Sequence, residues 1–189
     1  MTRADGPPMK AIGFAGDSGT GKTTLVEQLI ARFTQDGYRV AAIKHAHHGF
    51  DIDRPGKDSY RFRSAGARQV LVASDQRWVL MGEEAQDDPA AALARHMGRL
   101  EPCDLVVVEG YRGHAGIAFI EVRRAGAHPS ATGQASTHAP RPPPPGRVAI
   151  VSDVLQPQSA ADAGLPILDL NDVDAIAQFV VRHLELLPC

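Results

Sequence analysis

The residues best equipped for chemistry are Gly16, Asp17, Ser18, Gly19, Thr20, Gly21, Lys22 and Thr23, which fit G-x-x-x-x-G-K-[ST] at every fixed position. Such a run cradles phosphate. Gly16, Gly19 and Gly21 are expected to let the main chain take positive φ and turn its N–H groups onto phosphate oxygens. The helix expected next adds its unsatisfied N–H groups and the positive end of its dipole. Lys22 supplies a point charge for the β- and γ-phosphates, the Thr23 hydroxyl is a magnesium ligand, and Thr24 is a further phosphate contact. A glycine-rich turn without a ligand would share the pattern; an apolar strand before it and an amphipathic helix after it favour phosphate.

Magnesium at such a site calls for a carboxylate at the end of a neighbouring buried strand. Val106-Val107-Val108 runs directly into Glu109, so Glu109 is expected to hold the metal or to position its water. Asp104 opens the same strand at its other end and is the weaker candidate. A second dense region, Lys44 to Arg68, holds six Lys or Arg against three Asp in a chain of formal net charge −2. That local excess suits a second, anionic ligand at the carboxyl edge of the sheet. If Asp58 or Ser59 caps a helix there, Lys57, Arg61 and Arg68 fall near one helical face.

His45, His47 and His48 with Asp51 and Asp53 could bind a transition metal, but His-x-His-His in a loop is not a strong ligand spacing. Contact of this loop, His45 and His48 included, with phosphate, pterin or magnesium is the preferred reading, with Asp53 the acid nearest magnesium. Val151-Ser152-Asp153 follows a strand and offers Asp153 either to a nucleotide base or as a strand-end cap. No Asn-Lys-x-Asp reader of guanine is present, so the residues alone do not separate GTP from ATP.

These groups need a scaffold that brings distant segments to one edge. Apolar strands are expected at 11–15, 39–44, 69–73, 77–81, 105–108, 118–122 and 148–151. The third and fourth read as a hairpin turning through Ser74-Asp75-Gln76. A helix should follow Thr23 with Val26, Leu29, Ile30 and Phe33 on one face and end near Gly37. Further helices are expected from Pro89 through Arg99, and from Asn171 or Asp172 with Val173, Ile176, Ala177, Val180 and Leu184 buried. Strands alternating with helices imply an α/β, P-loop NTPase-like layered fold with a mainly parallel sheet and some antiparallel additions.

Length and composition agree with one folded domain over 9–189, preceded by a flexible stretch at 1–8. Residues 125–146 contain no Val, Ile, Leu, Met, Phe, Tyr or Trp but several Pro, and read as a disordered Pro-rich insert. No run is long and apolar enough to span a membrane, and the near-neutral charge gives no footprint for nucleic acid. Cys103 and Cys189 lack metal-ligand spacing and read as free thiols in a reducing cytoplasm.

Several blocks together resemble the molybdopterin-guanine dinucleotide biosynthesis protein B family, the MobB type. They are Gly16 to Thr23, Lys44-His45 with His47-His48, and Asp51-x-Asp53-x-Pro55-Gly56-Lys57-Asp58-Ser59. The likeness continues through Arg63-x-Ala65-Gly66-Ala67, Arg77-Trp78 and Asp104 to Tyr111. It implies a GTP-binding accessory protein of molybdenum cofactor maturation, a homodimer with slow GTP hydrolysis at most. Lys22 and Thr23 would then be ligands of GTP and magnesium. Its implied partner is the guanylyltransferase that joins GMP to molybdopterin, and the histidine-rich loop would face that enzyme, molybdopterin or the guanine dinucleotide. Gly49 stands where the family often has an acid, and the Pro-rich insert is foreign to the pattern. The alternatives are a P-loop kinase of a small anionic metabolite, with Arg61, Arg63 and Arg68 as its lid, and a module that holds nucleotide without chemistry.

Overall fold

After Lys10, strand β1 (Lys10–Ala15) is apolar or glycine and buried at every position, as a strand covered on both faces must be. The computed structural model describes residues 9–46, 51–84, 89–112, 116–126 and 142–187. These divide into two compact units, Met1–His45 with Pro89–Cys189, and Ala46–Asp88.

The first unit is built on a six-stranded parallel sheet. Around β1 it contains β2 (Val40–Lys44), β5 (Leu105–Glu109), β6 (Ala118–Val122), β7 (Arg147–Ser152) and β8 (Ile167–Asp169), in the order β2-β5-β1-β6-β7-β8. Thus β1 lies between β5 and β6, with Phe14 opposite Glu109 on one side and Ala15 opposite Glu121 on the other. Side chains alternate across this sheet. Ile12, Phe14, Leu105, Val107 and Ile120 face a core shared with helices α1 (Lys22–Gln35) and α4 (Val173–His183). Ala15, Val106, Val108 and Phe119 face the opposite layer with Leu93 of α3 (Pro89–Met97). Each fully buried Leu, Ile or Phe contributes about 1.5–3 kcal/mol by leaving water, so the two cores hold the sheet edge rigid.

Helix α1 buries Leu25, Val26, Leu29 and Phe33. It ends at Gln35, and Gly37, two residues on, takes φ 92° and donates its N–H to Thr34 O. Helix α4 is capped by Asp172, whose carboxylate accepts the Ala175 N–H at 2.9 Å. The sheet carries one strand that periodicity did not give: β8 has three residues, too few for a pattern. A 3-10 turn at Ala160–Asp162 was likewise unforeseen.

The second unit holds helix α2 (Asp58–Ser64) and a hairpin of β3 (Gln69–Ala73) and β4 (Trp78–Gly82). The hairpin is antiparallel with Leu71 opposite Leu80, and it forms a sheet of its own. Its turn is closed by Ser74, whose N–H donates to Arg77 O and whose hydroxyl oxygen accepts the Arg77 N–H. Neither Asp58 nor Ser59 caps α2: Lys57 occupies that position without a side-chain cap, and the Ser59 hydroxyl donates to Asp53 instead. Because α2 stops at Ser64, Arg68 lies beyond it and does not share its face with Arg61.

Residues 1–8 and 127–141, most of the Pro-rich stretch, lie outside the described residues. The end of that stretch is tied to the first unit, Gly146 O accepting the Phe119 N–H at 2.9 Å and Pro142 O accepting from Arg112 at 2.9 Å. No helix among the described residues is long and apolar enough to cross a membrane.

Candidate functional site

The loop between β1 and α1 is shaped by two different demands on glycine. At Gly21, which precedes α1, φ is 87°, a left-handed conformation that L side chains rarely adopt. Gly16 does not take positive φ; it is glycine for lack of room, since a Cβ there would stand 2.2 Å from Val122 O on β6. Between them Thr20 is buried and donates its hydroxyl to Asp17 O at 3.0 Å, while Asp17, Ser18 and Gly19 are exposed. Lys22 donates from Nζ to Asp17 O at 2.6 Å, arching over the loop. Burial pushes the Lys22 ammonium below its usual 10.5, with Glu109 and Asp17 pulling the other way. Thr24 lies exposed in the first turn of α1.

On the β5 side, parallel pairing brings Glu109 level with Phe14 and so beside the loop. The Thr23 hydroxyl reaches its carboxylate at 2.9 Å and 3.1 Å, and Lys44, at the end of β2, places Nζ 3.5 Å from Oε1. The Glu109 side chain is 13% exposed. In the sequence Lys44 only opens a basic segment; its position against Glu109 follows from the β2–β5 register, which pairs the two residues directly. Asp104 is bound at the far end of β5 by the Arg39 guanidinium and main-chain N–H, which hold its carboxyl down to about 2.

On the β6 side stand arginines that sequence patterning did not single out. Arg112, three residues beyond Glu109, lies 3.7 Å from Asp17 and 3.6 Å from Glu121. Glu121 in turn joins a buried network. Arg123 and Arg147 both pair with Glu121 and with Asp162, whose carboxylate also accepts the Gln158 and Ser159 N–H groups at 3.0 Å. The Arg123 hydrogen bond holds Asp162 far below the usual carboxylate range. Arg124, next in the chain, turns instead toward the Gly16–Thr23 loop, with Nη2 3.2 Å from where a Cβ on Gly21 would be. Asp153, after β7, accepts the Ala125 N–H at 2.8 Å and so pins the segment that carries Arg124. Both arginines leave the carboxyl ends of strands flanking the loop, and that edge rule is the signal that could have found them.

His45 donates its main-chain N–H to Glu109 O at 2.9 Å, and its ring lies 4.4 Å from that of Tyr111. His47 and His48 lie outside the described residues. Asp53, Lys57 and Arg61 belong to the second unit. There Asp53 is nearly buried. One oxygen accepts from Ser59 at 2.8 Å and from the Arg54 N–H at 3.0 Å; the other is 3.8 Å from Arg63. Asp51 accepts from Arg63 at 2.8 Å, and Arg61 lies 3.5 Å from Asp58 on an exposed face. Among the described residues no three His, Cys, Asp or Glu are grouped to hold a metal.

The sequence pattern of the family described as "Molybdopterin guanine dinucleotide synthesis protein B" matches residues 11–139. An Escherichia coli K12 protein named molybdopterin-guanine dinucleotide biosynthesis adapter protein is 40% identical over 177 residues, 92% of this chain and 93% of that one. A Haemophilus influenzae protein of the same name is 44% identical over 101 residues, 53% of this chain and 56% of its own length. The crystal structure of Bacillus subtilis MobB shares the fold with a TM-score of 0.65 at 21% identity, covering 93% of this chain and 98% of that one. The Gly16–Thr23 loop and Glu109 both fall inside the matched span, and the match runs through nearly the whole chain of a named relative, so the chain belongs to the molybdopterin guanine dinucleotide synthesis protein B family.

Proposed function

We propose that the chain binds magnesium GTP at the Gly16–Thr23 loop and assists the guanylyl transfer that converts molybdopterin to its guanine dinucleotide. The observation that carries the reading is the meeting of Thr23 with Glu109 beside the loop and Lys22. A hydroxyl and a carboxylate are the hard oxygen donors magnesium takes, leaving its other positions to water and phosphate oxygens. Thr23 and Glu109 are the pair assigned to it, and bound there it would neutralise charge shared between the β- and γ-phosphates. Lys22, half-buried and partly desolvated, gains most from an anion, and Lys44 adds positive charge beside Glu109.

The accessory role rests on the relatives named as adapter proteins in this biosynthesis. The kinase alternative is not favoured: Arg63, one of three arginines offered for a lid, is held by Asp51. Hydrolysis is proposed to be slow at most. The working form is proposed as a cytoplasmic homodimer. Leu71, Trp78 and Leu80 on the hairpin are 62%, 59% and 43% exposed, apolar surface that a second copy would cover.

Calorimetric titration of the pure protein with non-hydrolysable GTP and ATP analogues plus magnesium tests the reading. Preference for GTP, abolished in Lys22→Ala, is expected. Equal affinity or preference for ATP would remove the guanylyl-transfer role while leaving the phosphate loop standing.

A further inference from the structure

The phosphate loop orients a triphosphate but leaves open what holds the nucleoside. Its metal side is fixed by Thr23 and Glu109 on the β5 flank of β1. The β–γ end of a bound triphosphate belongs there, so the nucleoside end must leave across the start of α1, toward β6 and β7 on the opposite flank. The first side chain met on that path is Arg124. Its Nη2, Cζ and Nε lie 3.2, 3.7 and 3.8 Å from the Cβ position of Gly21, so the guanidinium lies along the loop and not end-on to it.

Arg124 differs from the arginines around it. Arg112, Arg123 and Arg147 are each engaged by carboxylates, whereas Arg124 is exposed and makes no hydrogen bond or ion pair among the described residues. Its main chain is nonetheless held in place, because the next residue donates its N–H to Asp153 at 2.8 Å and ties the β6 edge to the β7 edge. Lys22 already places one cation over the loop. A second, planar one on the nucleoside side suits the face of a purine, on which a guanidinium stacks with its plane parallel.

We propose that Arg124 is a nucleoside-positioning residue, its guanidinium packing on the purine of a nucleotide whose phosphates occupy the Gly16–Thr23 loop, with Asp153 setting its place. The inference rests on the reading of that loop as a triphosphate site, and the experiment separates the two. Competition against a labelled guanine nucleotide is measured for the GTP analogue and for inorganic tripolyphosphate, both with magnesium, in the unaltered protein and in Arg124→Ala, Arg124→Lys and Lys22→Ala. Arg124→Ala is expected to weaken the GTP analogue about tenfold, the range of a stacked cation–π contact, and to leave tripolyphosphate unchanged. Arg124→Lys keeps the charge without the plane and should not rescue. Equal weakening of both ligands, or rescue by Lys, would make Arg124 a phosphate cation and overturn the proposal. Unchanged affinity in both Arg124 variants, with Lys22→Ala still defective, would overturn it while sparing the loop. Failure of the labelled nucleotide to bind the unaltered protein would instead strike the loop reading itself.

Discussion

The Thr23 hydroxyl donates to the Glu109 carboxylate at 2.9 Å across 86 residues of chain. Neither residue is near the other by local structure. Glu109 arrives because β5 pairs with β1 in a register that sets it against Phe14, and Thr23 because the loop folds back over the end of β1. In Glu109→Gln the amide can still accept from Thr23 but no longer offers magnesium a charge. Magnesium-dependent affinity for the GTP analogue should fall by about 1.5–3 kcal/mol, the worth of a hydrogen bond or contact to a charged group. Affinity measured in chelator should change little; a loss equal in both conditions would refute a metal role for Glu109.

Gly16→Ala tests the close approach of β6. Its Cβ would fall 2.2 Å from Val122 O, a main-chain atom that cannot rotate away. Forcing the strands apart should cost about 1–3 kcal/mol, as overpacking does elsewhere, read by urea unfolding. Nucleotide binding should be lost with it. A fully stable Gly16→Ala protein would contradict the contact.

Acid should weaken the fold in a defined window. Asp104 is held down to about 2 by Arg39, from an ordinary 3.8, so its contribution is complete above pH 3.8 and disappears as pH falls toward 2. Asp162, held lower still by Arg123, gives way after it on the same descent. In Asp104→Asn the stability measured at neutral pH should drop, and the difference from the unaltered protein should close as pH falls through that window. A difference that stays constant down to pH 2 would mean the Arg39 pairing is not what matters.

Asp162→Ala takes from Arg123 and Arg147 one of the two carboxylates that each is paired with, leaving Glu121 alone to face both. The expected cost is about 3–5 kcal/mol, that of removing one partner from a buried ion pair, measured by thermal or urea unfolding. A loss below 1 kcal/mol would show that Glu121 and solvent carry those charges by themselves.

The hairpin offers a test of assembly. Trp78→Glu introduces charge into apolar surface that is already exposed, so a monomer should tolerate it. Sedimentation is expected to show a dimer for the unaltered chain and a monomer for the variant. Dimers in both would place the contact elsewhere, and a monomer for the unaltered chain would refute the proposed assembly.

What the sequence disclosed, it disclosed through local signals. Gly16 to Thr23 and the helix after it are contiguous, and Glu109 is marked because an acid ends a buried run. Strand β6 was legible to the residue although it contains Glu121, because Arg123 and Arg124 end it directly after Val122. Lys44 against Glu109, Arg112 against Asp17 and Arg124 against Gly21 depend on which strands become neighbours, and no local pattern carries that. Asp53 shows the reverse hazard: an acid in a promising motif has local partners, Ser59 and Arg63, visible only once α2 sets their spacing. The expected face of Lys57, Arg61 and Arg68 failed because α2 is seven residues long.

The position of β1 between β5 and β6 also bears on how the molecule is made. β1 leaves the ribosome well before either of its sheet partners, β5 and β6. At roughly 5–20 residues per second, the 86 residues from Thr23 to Glu109 occupy several seconds of translation. Ile12 and Phe14, wholly covered in the finished sheet, have no partner strand to cover them during that interval. A nascent chain arrested before Leu105 should therefore be bound by hydrophobic-segment chaperones, and one arrested after full emergence of Val122 should be released from them.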